Sequence, residues 1–80
     1  MIVKVLKTDG TISESEISTF TDIRNIIGGM VQVAGQPDIF STVFCHEEGL
    51  LLKLPPNPLI PPLVGDLVVA PVGWEDLPYE

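Results

Sequence analysis

The chain reads FCHEEGLLLKLPPNP at residues 44–58, and this stretch decides how the rest is interpreted. The apolar residues on either side of Glu47-Glu48-Gly49 have the pattern of two β-strands joined by a tight turn. The two glutamates suit the right-handed positions of a type I turn, and Gly49 suits the left-handed residue of a G1 bulge. The prolines from Pro55 onward then end the second strand. The stretch therefore predicts the central hairpin of a small sheet.

Strand-like segments, separated by turn residues, fill most of the remaining chain: residues 2–6, 11–18, 30–34, 39–45 and 66–72. The first two form a hairpin around a turn at residues 8–11, and the next two form an antiparallel pair interrupted at residues 35–38. Residues 55–62 contain five prolines, so we expect an ordered, packed connection there and no regular strand.

A capping box predicts one short helix between these strands. Thr19 and Asp22 have the spacing of the box, and Gly28-Gly29 offers a left-handed residue that ends the helix. An apolar stripe at helical spacing lies between the two signals: Phe20, Ile23, Ile26 and Ile27. The predicted fold is α+β, a small curled antiparallel sheet or partial barrel packed on one short helix.

Length and composition limit the core that this chain can build. Eighty residues make a single domain, residues 1–80, in which residues 73–80 form an acidic, aromatic tail. Such a domain buries only about 60% of the surface that its unfolded chain exposes. Because 45% of the residues are hydrophobic, part of the apolar surface is expected to face another chain.

The charge and cysteine content exclude several classes of partner. Eleven acidic residues against four basic ones give a formal net charge of −7, which argues against nucleic-acid binding. Cys45 is the single cysteine, so no intrachain disulfide can form and the chain is predicted to be cytoplasmic. No stretch approaches the roughly 20 apolar residues of a membrane-spanning helix, so no membrane contact is expected.

Cys45-His46-Glu47 is the one local set that combines a nucleophile, a base and a carboxylate. Neighbours on a strand point to opposite faces, so Cys45 and His46 are not expected to act together. Cys45 is expected to be a small core residue and His46 an exposed residue at the turn. We therefore predict no catalytic residue, no metal and no cofactor. A small enzyme that uses His46 with Glu47 or Glu48 remains an alternative.

Two sets of residues are candidates for binding. A small nucleotide signal could be held between subunits by Arg24, Lys53, Asn57 and a stacked Trp74, with His46 and Glu47 also within the candidate ligand site, although no P-loop is present. Protein partners are expected at the tail and the proline-rich connection, through Trp74, Glu75, Asp76, Tyr79, Leu59, Ile60 and Leu63.

Self-association is predicted from the apolar residues around the prolines: Leu54, Leu59, Ile60, Leu63 and Val64. The prolines restrict the backbone and lower the entropy lost when such a surface is ordered. If the last strand lies at a sheet edge, pairing with a twofold mate would cover these residues. The expected homo-oligomer is a dimer.

In the order of its short motifs the chain resembles an uncharacterised family of small phage, plasmid and bacterial proteins, which is a domain of unknown function. Its pattern is a capped helix ending in Gly-Gly, an alternating strand, an Asn-Glu-Glu-Gly turn, and Leu-Pro-x-Asn. The matching residues here are Thr19, Gly28-Gly29, Val31, Val33, Glu47-Glu48-Gly49, Leu54-Pro55-Pro56-Asn57 and Gly65-Asp66. His46 stands in place of the family's Asn, and Leu50 in place of a frequent Lys. The resemblance implies a small α+β fold, a mobile-element origin and no established activity.

The functional expectation combines this resemblance with the absence of catalytic motifs. We expect a non-enzymatic binding protein that acts as an anti-defence factor in the host cytoplasm. It would inhibit a host protein or sequester a host nucleotide signal. The alternative is a small structural or accessory subunit of a larger complex.

Overall fold

The computed structural model describes residues 1–79, which form five β-strands, one α-helix and a short 3-10 helix. The elements in chain order are β1 (Ile2–Leu6), β2 (Ile12–Glu16), α1 (Phe20–Ile27), β3 (Val31–Asp38), β4 (Ser41–His46), β5 (Leu67–Pro71) and the 3-10 helix (Trp74–Asp76). The first hairpin, β1–β2, is confirmed. Within residues 1–79 no helix has the length and apolar character needed to cross a membrane.

Helix α1 begins and ends where the sequence predicts. The Asp22 carboxylate accepts from the backbone N–H groups of Ser18 and Thr19 at 2.8 and 3.1 Å, which satisfies donors that the helix itself leaves unpaired. Gly28 has a left-handed φ of 95° and donates its N–H to the Arg24 carbonyl. The capping box and the glycine cap thus fix both ends of an eight-residue helix.

The five strands form one open antiparallel sheet in the order β2-β1-β5-β4-β3. Val68 of β5 pairs with Val5 of β1 on one side and with Phe44 of β4 on the other. The last strand is therefore not at a sheet edge, so the condition for its pairing with a second copy is not met. Leu67, Val68 and Ala70 have no exposed surface, and a strand apolar on both faces belongs in the middle of a sheet.

The predicted central hairpin is also wrong in its second half. Strand β4 already pairs with β3 and β5, so it has no free edge for a strand at residues 50–54. Residues 47–54, which we call the leucine loop, instead form successive turns. Leu52 N–H donates to the Glu48 carbonyl at 2.9 Å, and Leu54 N–H donates to the Gly49 carbonyl at 3.1 Å.

Strand β3 continues through the interruption expected at residues 35–38. The register between β3 and β4 shifts on both sides of Gly35, which is how bulges absorb extra residues on an edge strand. The turn to β4 lies at Ile39 and Phe40, where the Asp38 carboxylate accepts from the Phe40 N–H at 2.7 Å. Bulges thus replace the predicted break.

Apolar clusters cover both faces of the sheet. The helix-side cluster contains Val3, Ile17, Ile23, Ile27, Phe44, Val68 and Ala70. The opposite cluster contains Leu6, Val43, Cys45 and Leu67, with Ile60, Leu63 and Val69 packed against it. The proline-rich connection therefore packs on the domain's own sheet, which uses part of the apolar surface expected at a dimer interface.

Candidate functional site: a cleft beside the leucine loop

A cleft of about 420 Å³ lies between the end of β4, the leucine loop and the proline-rich connection. Its volume falls within the range of roughly 300 to 1,000 Å³ that is typical of ligand pockets. The residues that line it are Gln32, Cys45, His46, Glu47, Glu48, Leu50, Leu51, Pro62, Leu63 and Val64. Most of these side chains are apolar, so the cleft suits an apolar group better than a charged one.

Three consecutive leucines stand out from the surface next to this cleft. Leu50, Leu51 and Leu52 are 81%, 80% and 57% exposed. Their loop is held by its own backbone hydrogen bonds, including one of 3.2 Å from Lys53 N–H to the Leu50 carbonyl. Lys53 has a left-handed φ of 54°, which is unfavourable for a residue with a side chain. The leucines are thus displayed by a defined loop conformation.

Gly49 and His46 fix the base of the leucine loop. A Cβ on Gly49 would lie 2.9 Å from a methyl group of Val64, so this close approach requires glycine. The His46 side chain is only 8% exposed, and its Nδ1 accepts from the Glu48 N–H at 3.0 Å. The expectation that His46 is an exposed turn residue is wrong, because its ring is packed against Gly29 at the end of α1.

Two carboxylates form the rim of the cleft. Glu47 and Glu48 are both exposed, and the Glu47 N–H donates to the Met30 carbonyl at 2.8 Å, which ties the rim to the start of β3. Lys53 is exposed on the same loop but does not line the cleft. The cleft therefore combines an apolar interior with an acidic entrance.

The candidate ligand residues separate into two groups. His46 and Glu47 line the cleft, together with Leu63 of the candidate partner residues. Asn57 is fully buried, where its Nδ2 donates to the carbonyls of Leu6 and Gly65 at 2.9 and 3.0 Å. Its Oδ1 also accepts from the Leu59 N–H at 2.9 Å. Through these hydrogen bonds Asn57 holds the proline-rich connection against β1.

The stretch after β5 packs along α1 and the sheet. Trp74 is half-buried in contact with the helix-side cluster, and its Nε1 donates to the Thr42 hydroxyl at 3.0 Å. Tyr79 is 71% exposed, with its ring centroid 5.4 Å from that of Phe20. Glu75 and Asp76 are exposed on the 3-10 helix.

Two partner candidates in the proline-rich connection are placed differently from each other. Leu59 is 37% exposed, whereas Ile60 is half-buried against the cluster that contains Val43. Ile60 also lines a second, shallower depression with Leu63. The part of the connection that remains free for contacts is thus smaller than its sequence suggests.

The possible catalytic residues Cys45 and His46 lie on opposite faces of β4. Cys45 is buried in the cluster opposite the helix, whereas the His46 ring lies against Gly29. The two side chains therefore do not form a nucleophile and base pair. Among residues 1–79, no three His, Cys, Asp or Glu side chains lie close enough together to hold a metal ion.

The leucine loop was the feature that the sequence interpretation missed. Leu50 to Leu52 were assigned to a strand, because a short apolar run after a turn has the same composition in a strand as in an exposed loop. No local signal separates the two cases, because Leu67-Val68-Val69 is an equally continuous apolar run and does form a strand.

These features define a small domain with an open antiparallel sheet, one helix, and an apolar cleft with an acidic rim. The chain belongs to the family described as Domain of unknown function (DUF3846), whose family model matches residues 1–77. The resemblance to an uncharacterised family is thereby confirmed at the level of the family. Neither a curated protein nor a solved structure matches the chain.

Proposed function

We propose that the chain is a small non-enzymatic binding protein that covers a surface of another protein through the cleft and the leucine loop. The supporting observation is the display of Leu50 and Leu51, 81% and 80% exposed, at the edge of an apolar cleft. Exposing large side chains on an ordered loop is unfavourable in water, and a contiguous apolar patch of this kind is typical of an interaction site.

The biological role that we propose is anti-defence. The chain would come from a phage or plasmid and act in the host cytoplasm by inhibiting a host protein. The resemblance carried by Glu47-Glu48-Gly49 and Leu54-Pro55-Pro56-Asn57 supports this origin, although His46 stands where the family pattern has Asn. Glu47 and Glu48 line the cleft, and the Asn57 side chain is buried and hydrogen-bonded. An accessory subunit of a larger complex would use the same surface.

Sequestration of a nucleotide has less support from the geometry. Asn57 has no exposed surface, and its amide is occupied by three hydrogen bonds. Trp74 is half-buried, packs against Phe44 and donates its Nε1–H to Thr42, so little of its ring is available to stack on a base. A nucleotide would have to bind through Arg24 and Lys53 with little help from the other two residues.

Self-association is proposed in a changed form. Strand β5 is central, so the backbone pairing expected between two copies is not available to it. A dimer would have to use exposed apolar side chains such as Leu50 to Leu52. Analytical ultracentrifugation of the wild type and of Leu50→Ser tests this directly: a dimer built on the loop dissociates in the variant.

Affinity capture from a bacterial lysate tests the proposed function. The bait proteins are the wild type, a Leu50→Ser/Leu51→Ser variant, and an Ile39→Ser/Phe40→Ser control that removes apolar side chains of comparable exposure from the β3–β4 turn. We expect a stoichiometric partner, identified by mass spectrometry, with the wild type and the control but not with the loop variant. A partner retained by the loop variant contradicts the proposal.

A thermal-shift screen separates the two forms of anti-defence activity. Linear and cyclic nucleotides are added to the wild-type chain, and a stabilising shift that increases with concentration indicates binding to the folded state. We expect no such shift. A saturable shift that is lost in Lys53→Ala would favour sequestration of a signal over inhibition of a protein.

A further inference from the structure

We infer that the cleft accepts a basic amphipathic segment of the partner, with its apolar side chains in the cleft and its Lys or Arg side chains beside Glu47 and Glu48. This inference rests on the proposed function and specifies the chemistry of the partner. It follows from three properties of the same site: an apolar interior, an acidic rim and a fixed loop.

The apolar interior determines one face of the bound segment. Leu50, Leu51, Leu63 and Val64 contribute most of the aliphatic side chains in the cleft. The volume of about 420 Å³ is enough for a few large side chains and too small for a folded domain. An amphipathic segment that projects apolar residues at spacings of three and four fits such a groove.

The rim determines the charge of the other face. Glu47 and Glu48 are adjacent, exposed and part of the cleft lining, and Lys53 does not line it. The formal net charge of the chain, −7, has the same sign as the rim, so a cationic segment is attracted from a distance. A segment with acidic residues would meet repulsion both at the rim and during approach.

The same charges disfavour two other occupants. A second copy of this chain also carries −7, so it is a poorer occupant of the cleft than a basic segment, and a dimer through Leu50 to Leu52 would compete with the partner. An anionic membrane surface would be repelled by Glu47 and Glu48 even though Leu50 to Leu52 could insert into it. A basic protein segment satisfies the apolar and the electrostatic requirement together.

The fixed loop reduces the cost of binding. Four backbone hydrogen bonds within residues 46–54 hold the leucines in place, donated by Gly49, Leu52, Lys53 and Leu54. A surface that is already ordered loses little further entropy when a partner covers it. The cleft is therefore preorganised for binding.

Designed peptides test the inference. One probe has leucines at positions i, i+3, i+4 and i+7 and lysines elsewhere, the second has glutamates in place of the lysines, and the third has the lysine composition in scrambled order. Titration followed by NMR chemical shifts gives the affinity and the location of binding. We expect the lysine probe to bind about tenfold or more tightly than the other two, with shifts at the cleft and the leucine loop.

Charge variants of the chain complete the test. Glu47→Gln/Glu48→Gln should weaken binding of the lysine probe by roughly 3- to 10-fold at low salt, and high salt should remove most of this difference. Glu14→Gln/Glu16→Gln, on the exposed strand β2, changes the net charge equally and should have a much smaller effect. Circular dichroism establishes that each variant is folded.

Several outcomes would overturn the inference. These are equal binding of the lysine and glutamate probes, no binding of the lysine probe at millimolar concentration, shifts located away from the cleft, or leucine-dependent binding to phosphatidylglycerol vesicles. Affinity capture from the lysate distinguishes a failure of this inference from a failure of the proposed function. If Leu50→Ser/Leu51→Ser no longer captures the partner but Glu47→Gln/Glu48→Gln still does, the proposed function stands and the basic segment is rejected.

Discussion

The Trp74 indole meets the Phe44 ring edge-on, with the ring centroids 4.8 Å apart and the planes at 89°. Phe44 is 1% exposed in the middle of β4, whereas Trp74 follows the last strand. The edge of one ring against the face of another is a favourable aromatic geometry. Trp74 therefore packs the stretch after β5 against the core of this domain.

Replacement of this indole should destabilise the whole fold. We expect Trp74→Ala to lower the free energy of unfolding by about 3 kcal/mol, because it removes a large, half-buried ring. Trp74→Phe keeps a ring and loses the hydrogen bond to Thr42, so about 1 kcal/mol is expected. Urea denaturation followed by circular dichroism measures both changes. A Trp74→Ala variant as stable as the wild type would show that the aromatic contact is dispensable.

Replacement of the buried Asn57 side chain by a charged one should destabilise the fold. Asn57→Asp places a carboxylate against the carbonyl oxygens of Leu6 and Gly65, and we expect a loss of about 3 kcal/mol or more at pH 7. Burial beside two acceptors raises the pKa of the introduced carboxyl in the folded state. The destabilisation should therefore decrease as the pH falls, when the carboxyl is protonated.

The control for this substitution is Asn25→Asp, on the exposed side of α1. It introduces the same group where water can solvate it, so a change within about 0.5 kcal/mol is expected. Denaturation midpoints at pH 7 and pH 4.5 compare the two variants. Equal losses of stability in the two variants would argue against a structural role for the buried Asn57 side chain.

The contact between Gly29 and His46 should be sensitive to one methyl group. A Cβ on Gly29 would lie 2.5 Å from Nε2 of His46, so Gly29→Ala forces the ring to move, at a cost of about 1 to 3 kcal/mol. The movement also disturbs the hydrogen bond from the Glu48 N–H to Nδ1 at the base of the leucine loop. The variant should therefore show faster amide exchange in residues 47–54 as well as a lower stability.

Gly35→Ala is the matched control, since a Cβ there meets no atom within 4 Å. We expect it to leave stability nearly unchanged. Combining Gly29→Ala with His46→Ala should cost less than the sum of the two single changes, because the clash is then absent. Strict additivity would mean that the two residues do not interact.

The capping carboxylate of Asp22 should make stability depend on pH in the acid range. Hydrogen bonds from the Ser18 N–H and then the Thr19 N–H lower the pKa of Asp22 in the folded chain. A lowered folded pKa stabilises the fold fully above the unfolded value of about 3.9, and this stabilisation is lost as the pH falls through the folded pKa. Asp22→Asn should therefore be less stable than the wild type at pH 7.

The same variant should approach the wild type in stability below the folded pKa, because the wild-type carboxyl is then neutral as well. Thermal denaturation between pH 2 and pH 7 tests this convergence, with Glu14→Gln on the exposed strand β2 as the control. A difference between Asp22→Asn and wild type that stays constant over the whole range would exclude titration of Asp22 as its cause.

Local signals in the sequence were sufficient for the elements whose hydrogen bonds are local. Thr19, Asp22 and Gly28 define α1 within a few residues, and the turn at residues 8–11 defines the first hairpin. The α+β class, an antiparallel sheet with one short helix, was therefore predicted, whereas the sheet is open and does not close into the partial barrel that was also expected. These elements depend on capping and turn chemistry, which short stretches of sequence contain.

The errors arose where pairing is non-local. The register of Val5 with Val68 joins residues that are far apart in the chain, and no local pattern indicates it. The pairing of β4 with β5 and β3 left no free edge of β4 for Leu50 to Leu52, so a run with strand-like composition became an exposed loop. The sequence made Asn57 a candidate ligand-binding residue, because its hydrogen bond to the Leu6 carbonyl joins segments that only the tertiary fold brings together.

The central position of β5 has a consequence for synthesis of the chain on the ribosome. Until Pro71 has left the exit tunnel, hairpins β1–β2 and β3–β4 each lack the neighbour that separates them in the finished sheet. Such unpaired edges are the places where nascent chains aggregate or bind chaperones. Completion of this sheet therefore waits for β5, the last of its five strands in the chain.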